Sequence, residues 1–199
     1  MKVTMEPAAV RDDPDDRDRA LVPRLGRGDR DAFRELYARY AQPTFGFLAR
    51  LCGTRDGAED LHQETWLAVA RNVARLAPDS DLRAWIFTIA RNQFRSAQRS
   101  LARVARLLPE ATPPATEALD DPAARDLEKA LQALPAGHRE ILLLVGIEGM
   151  AIDQAAAVLD VRPDAARQRL ARARAALAER LTDQALPAPS TMTAERGAR

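Results

Sequence analysis

Residues 82–106 read LRAWIFTIARNQFRSAQRSLARVAR, and the two halves of this stretch require different surroundings. In the first half Trp85, Ile86 and Ile89 recur at the spacing of one apolar helix face. In the second, Arg91, Arg95, Arg99, Arg103 and Arg106 follow at intervals of four, four, four and three, with no acid between them. On a helix turning about 100° per residue, the five guanidinium groups share an arc of roughly 120°. Like charges at this spacing repel by about 0.2–0.5 kcal/mol per pair, so the stripe gains nothing from its own helix. A merely solvated face would mix acids among the arginines. This one points to a polyanionic partner.

Charge in the rest of the chain is arranged around that stripe. The 199 residues carry a formal net charge of only +1, yet 91–106 hold five arginines and no acid. Residues 107–128 hold six acids (Glu110, Glu117, Asp120, Asp121, Asp126, Glu128) against Arg125, and residues 1–22 are acidic as well. Cys52 is alone, which excludes an internal disulfide and favours a reducing compartment, with the thiol in a structural role. No apolar run approaches the roughly 18 residues of a membrane span, and the N-terminus lacks an apolar signal core. The expected location is cytoplasmic, without membrane insertion.

Helical periodicity extends in both directions. Upstream, DAFRELYARYAQPTFGFLARLCG places Phe33, Leu36, Tyr37 and Tyr40 on one face, with Pro43 expected to interrupt or kink the helix and Gly53 to close it. DGAEDLHQETWLAVARNVARL gives a second helix with Leu61, Ala68, Val69, Val73 and Leu76 as its stripe, and APDSD leads into the third. Downstream, LLPEATPPATEALDDPAA has four prolines and no periodic apolar face, and reads as an extended acidic linker. The expected fold is all-α, with two small helical domains, and no strand signal appears. Their boundaries are a mobile tail over 1–22, a first domain over 23–105, a linker over 106–125, a second domain over 126–183 and a disordered tail over 184–199.

Within the second domain, MAIDQAAAVLDVRPDAARQRLARARAAL has a short helix, a tight turn and a longer helix, the pattern of a helix-turn-helix. Ala156 is small where two helices cross, and Leu159 and Val161 bracket the turn. Asp160 tolerates the left-handed backbone a turn requires, and Pro163 suits a first helical turn. Ala166, Leu170, Ala173 and Leu177 line up as the buried stripe. The opposite arc presents Asp164, Ala165, Gln168, Ala171 and Arg172, flanked by Arg167, Arg169 and Arg174, and Arg162 just before the helix joins the candidate DNA contacts. Arg bonds guanine edges or phosphates, Gln bonds adenine, and Ala lets a helix sit deep in the major groove. A basic surface helix without a ligand is the alternative.

Taken together, AFRELYARY, AEDLHQETWLAVAR, LRAWIFTIARNQF and LPAGHREILLLVGIEGMAIDQAAAVLDVRPDAARQRLARARAAL resemble an extracytoplasmic-function RNA polymerase sigma factor, over about 25–104 and 126–181. The resemblance implies a region-2 domain that binds core RNA polymerase and opens the −10 element, a linker through the polymerase channels, and a region-4 domain that reads the −35 element. It implies polymerase contacts at Asp60, Gln63 and Glu64, and a loop holding a flipped −10 base at Asp79, Ser80 and Asp81. It further implies −10 contacts at Arg91, Asn92, Arg95, Arg99 and Arg103. Trp85 and Phe87 offer themselves as strand-opening aromatics, though Trp85 begins an apolar stripe and is expected in the core. An anti-sigma protein is a further implied partner. The chain departs from the family pattern at Ser96, Ser100, Ala155 and Asp160, and at Ala151, where a Ser or Thr cap is usual and its loss costs about 1 kcal/mol.

Other chemistry has no residues to carry it. His62 and His138 are the only histidines and lack metal-ligand spacing, both reading as surface or helix-end residues. No Gly-rich phosphate loop or nucleophile motif occurs, so neither an enzyme nor a cofactor is expected. Two rivals stand beside the sigma-factor reading. A stand-alone dimeric helix-turn-helix regulator leaves AEDLHQETW without a role, and a helical protein-interaction adaptor leaves both arginine surfaces unexplained. In the sigma-factor reading, the acidic tail and linker are expected to compete with DNA for the 91–103 arginines.

Overall fold

A computed structural model describes residues 14–107 and 122–185. Several helix ends among them follow from local chemistry. Asp29 starts the first long helix by accepting the backbone N–H groups of Asp31 (2.9 Å) and Ala32 (3.1 Å). This helix, α2 (Arg30–Cys52), runs unbroken through Pro43, correcting the expected interruption. Thr44 Oγ1 folds back on the same helix and donates to the carbonyls of Tyr40 and Ala41, at 2.7 and 3.0 Å. Gly53 then ends α2 with φ +74°, the left-handed conformation a helix C-terminus favours.

The residues before Asp29 are a second correction. Over 14–22 the chain is not a tail: α1 (Pro14–Gly26) packs against α2 and the following elements. Leu21, Val22 and Leu25 are buried, giving the acid-dense segment a short apolar patch to dock with. Asp18, 6% exposed, accepts the Tyr40 hydroxyl and pairs with Arg39. Residues 1–13 lie outside the described residues.

Helices α3 (Arg55–Asn72) and α4 (Leu82–Leu107) complete a four-helix first unit, with a 3-10 turn at Val73–Arg75 between them. Leu36, Phe47, Leu51, Val69, Ile86 and Phe87 are almost fully buried, and the Phe47 and Phe87 rings meet edge-on at 5.3 Å. Phe87 is therefore a core residue. Trp85 packs against the edge of this core, half-buried, and also lines a surface groove with Asn72, Leu76 and Ile89.

The second unit comprises α5 (Pro122–Gln132), α6 (Ala136–Leu142) running on into a π turn at Leu143–Ile147, α7 (Ile152–Leu159) and α8 (Pro163–Ala185). Asp160 adopts φ +53°, and α8 starts at Pro163, as the sequence predicts for a helix-turn-helix. Ala156 and Ala166 are buried where the helices cross. Ala151 gives no side-chain cap to α7, but Gln154 Oε1 accepts the Ala151 N–H at 3.1 Å and keeps half of a capping box. The domain boundaries shift accordingly. Residues 106–107 belong to α4, 122–125 to α5 and 184–185 to α8. The rest of the expected linker and the remaining C-terminal tail lie outside the described residues.

The two units pack directly on each other: α7 lies along α4, and α5 and α6 meet α2. The C-terminus of α2 leaves carbonyls that its own helix cannot satisfy. The second unit supplies their donors. Gln132 Nε2 donates to Arg50 O at 2.8 Å and Arg139 Nη1 to Leu51 O at 2.6 Å. Arg139, 8% exposed, uses its other N–H groups on Leu131 O, Leu134 O and Gln132.

Candidate nucleic-acid interface

On α4 the apolar half is buried and the arginine half emerges along one side, as the periodicity requires. The structure divides that stripe in two. Asn92, Arg99 and Arg103 are exposed. Arg91 and Arg95 are turned to the second unit and both bind Glu140, whose side chain has no solvent exposure. Arg95 forms a fork, Nε to Oε1 at 2.6 Å and Nη2 to Oε2 at 2.7 Å. Arg91 Nε reaches Oε2 at 3.1 Å, and its Nη1 donates to Val158 O at 3.3 Å. The hydrogen bonds that Arg95 donates to Glu140 raise its pKa above the ordinary value. In this conformation only part of the stripe is turned outward. Two of its members face a carboxylate of the same chain.

Asp81 takes part in the same closure. Its Oδ1 accepts the Ala84 N–H at 2.8 Å and so caps α4, while Oδ2 accepts Gln154 Nε2 at 2.9 Å. One glutamine amide thus joins the N-termini of α4 and α7. Asp79 is exposed, and Ser80 is half-buried in a turn closed by its N–H to Ala77 O at 3.0 Å. Arg83, next to this loop, donates to Glu148 O in the second unit.

The helix-turn-helix surface points elsewhere. Arg162, Arg167, Gln168, Ala171, Arg172 and Arg174 are exposed on or beside α8, and Ala165 and Arg169 are half-buried. Arg167 is held by Asp164 at 2.7 Å, an exposed pair that DNA can displace at little cost. Arg172 Nη2 lies 3.5 Å from Gln168 Oε1, so the two side chains stand together on the outer face.

A third surface lies on α3, where Asp60, Gln63 and Glu64 are exposed. Gln63 lines a groove in which Trp66 meets Tyr37 at 4.7 Å and Phe33 at 6.2 Å, with Leu67 40% exposed. His62 supports this groove from within and is not the surface residue the sequence suggested. Its Nε2 lies 3.0 Å from Ala41 O and 2.9 Å from the Trp66 indole nitrogen, and burial pushes its pKa below the ordinary value. His138 is half-buried at the start of α6. Cys52 is half-buried as well, and burial pushes its thiol up to about 11, which suits a structural role.

Arg83, Gln132, Arg139, Glu140 and Gln154 join the units, and none of them was singled out as a site residue from the sequence. Of these, Glu140 had one visible signal, a lone acid directly before the run ILLLV, where a charge needs a partner. Among the described residues no group of three or more His, Cys, Asp and Glu side chains is placed to hold a metal, and no helix is long and apolar enough to cross a membrane.

Comparison with known proteins agrees with this architecture. The chain matches the Sigma-70 region 2 family over residues 36–104 and the Sigma-70, region 4 family over 124–177. It is 39% identical to RNA polymerase sigma factor CarQ of Myxococcus xanthus, over 73% of this chain and 87% of that one. It is 37% identical to ECF RNA polymerase sigma factor EcfG of Rhodopseudomonas palustris, over 66% and 75% of the two chains. Among solved structures, the sigma factor RpoE in complex with the anti-sigma factor NepR from Bartonella quintana is similar, with TM-score 0.70 and 28% identity over 75% of this chain and 96% of that one. The region-2 match gives the first unit a role that a stand-alone helix-turn-helix regulator leaves empty. The chain belongs to the extracytoplasmic-function RNA polymerase sigma factors of the sigma-70 family, alternative sigma factors that direct RNA polymerase to promoters.

Proposed function

We infer that the three surfaces divide the work of initiation among particular residues. Asp60, Gln63 and Glu64 on α3 dock on core RNA polymerase. Arg162, Ala165, Arg167, Gln168, Arg169, Ala171, Arg172 and Arg174 read the −35 element in the major groove. Arg91, Asn92, Arg95, Arg99 and Arg103 hold the −10 backbone while Asp79, Ser80 and Asp81 surround a base displaced from the stack, at an unstacking cost of a few kcal/mol. The polymerase performs the chemistry, and this chain acts as a cytoplasmic initiation factor without a reaction of its own.

The observation that carries this reading is the segregation of charge in space. Exposed acids on α3 and exposed arginines on α8 occupy separate helices, as separate protein and DNA partners require. An anti-sigma partner is the natural regulator, by analogy with the RpoE–NepR complex. The test is transcription by core RNA polymerase supplemented with this chain on genomic fragments. Starts should share paired elements near −35 and −10 and disappear in Arg167→Ala/Arg172→Ala. Protection of a palindrome by the chain alone, with core enzyme ignored, would overturn the assignment.

A further inference from the structure

On α3, a single ring nitrogen stands between two neighbours whose demands conflict. His62 Nε2 lies 2.9 Å from the Trp66 indole nitrogen and 3.0 Å from Ala41 O on α2. The indole N–H only donates and the carbonyl only accepts, while a ring nitrogen does one or the other. A neutral imidazole with its proton on Nδ1 accepts from Trp66 and offers Ala41 nothing. The imidazolium carries a proton on both nitrogens, so Nε2 donates to Ala41 O and the indole loses its acceptor. We propose that His62 is a positioning residue for polymerase docking and makes it proton-sensitive, a role that rests on the reading of α3 as the docking face. The neutral ring holds Trp66 in the groove between α2 and α3, and protonation releases it.

Packing carries the effect to the surface. Trp66 is buried, and Tyr37, 46% exposed, stands edge-on against it at 4.7 Å. Gln63 and the exposed Leu67 line the same groove. Tyr37 and Leu67 thus form an apolar contact area beside the polar residues of α3. A buried N–H without an acceptor is costly, so the indole shifts once the imidazole is charged, and the ring of Tyr37 loses the surface it leans on.

The groups around the imidazole leave burial in control. Tyr37 from α2 and Glu59 from α3 line the groove with it, and Asp60 and Glu64 are exposed on the same helix. Arg55, paired with Glu59 at 2.8 Å, stands over Phe45, whose ring meets His62 edge-on at 5.6 Å. Desolvation is the largest influence on His62 and favours its neutral form, so the groove is set for docking at neutral pH and loosens on acidification.

The test pairs two readouts on the full chain. Trp66 and Trp85 are the two tryptophans, so in a Trp85→Phe background the emission reports on Trp66, which a charged imidazole in contact quenches. Emission should titrate with a midpoint below the ordinary 6.5 and stay flat in His62→Gln, whose amide accepts the indole N–H without titrating. Dissociation constants for core RNA polymerase are then measured from about pH 7.5 down to about pH 5.5, each as the ratio of the native chain to His62→Gln, which cancels titration of the polymerase. The ratio should rise about tenfold one pH unit below the emission midpoint, as when only the neutral fraction docks. Trp66→Phe keeps an aromatic ring and removes the N–H. It should bind core with little of this pH dependence, and it decides the matter if His62→Gln fails to fold. Flat Trp66 emission in the native His62 chain overturns the switch. Emission that titrates beside a constant ratio overturns the role in docking. Undiminished core affinity in Asp60→Ala/Gln63→Ala/Glu64→Ala overturns the docking face itself, and the proposal with it.

Discussion

Gly53 is fixed by two independent requirements. Its φ of +74° suits glycine, and a Cβ there would stand 2.8 Å from Gln132 Cδ. Gln132 is not free to retreat, because it donates to Arg50 O and accepts from Arg139. Gly53→Ala should destabilise the chain by about 1–3 kcal/mol in denaturant unfolding, from the left-handed strain and the clash together. Adding Gln132→Ala should relieve only the clash. His62 gives a pH-dependent counterpart. Its folded pKa lies below the ordinary 6.5 because burial disfavours the cation, so the unfolded chain binds the extra proton first. Stability contributed at neutral pH is lost as pH falls from about 6.5 through the lowered folded value. His62→Gln should flatten unfolding midpoints measured across that window. An unchanged slope would mean that another group titrates there.

At the scale of elements, α1 and the α4–α6 pair carry the sharpest expectations. Leu21 is 1% exposed on a helix that the sequence did not announce. Leu21→Ala should cost about 2–5 kcal/mol, the range for emptying a packed leucine site, where a tail residue would cost nothing. The helix was hard to read because its apolar residues fall in a single cluster, Leu21, Val22 and Leu25, beside Pro23 and among acids. Periodicity needs several turns to register, and docking needs only one patch. Pro43 does not end α2, which continues to Cys52. For α4 and α6, a double-mutant cycle on Arg95→Ala and Glu140→Ala should give a coupling of about 1.5–3 kcal/mol, as hydrogen bonds to charged groups do. A coupling near zero would place the pair among surface contacts that contribute little.

For the whole molecule, the decisive quantity is the distance between the two units. With dyes at Ala38→Cys on α2 and Ala175→Cys on α8, both exposed, in a Cys52→Ala background, energy transfer should fall when core polymerase is added. Constant transfer would mean that the chain binds closed. The sequence by itself determined the all-helical class, the helix-turn-helix with its turn at Asp160 and first residue at Pro163, and the arcs on which the arginines lie. Each follows from spacing or backbone preference within a few turns of helix. Which partner Arg91 and Arg95 take was decided only by the tertiary structure. An arginine stripe specifies an anion but not its source, and Glu140 stands 45 residues from Arg95 in the chain. Packing α7 along α4 makes that carboxylate local and removes it from water, and no pattern along the sequence encodes such a meeting.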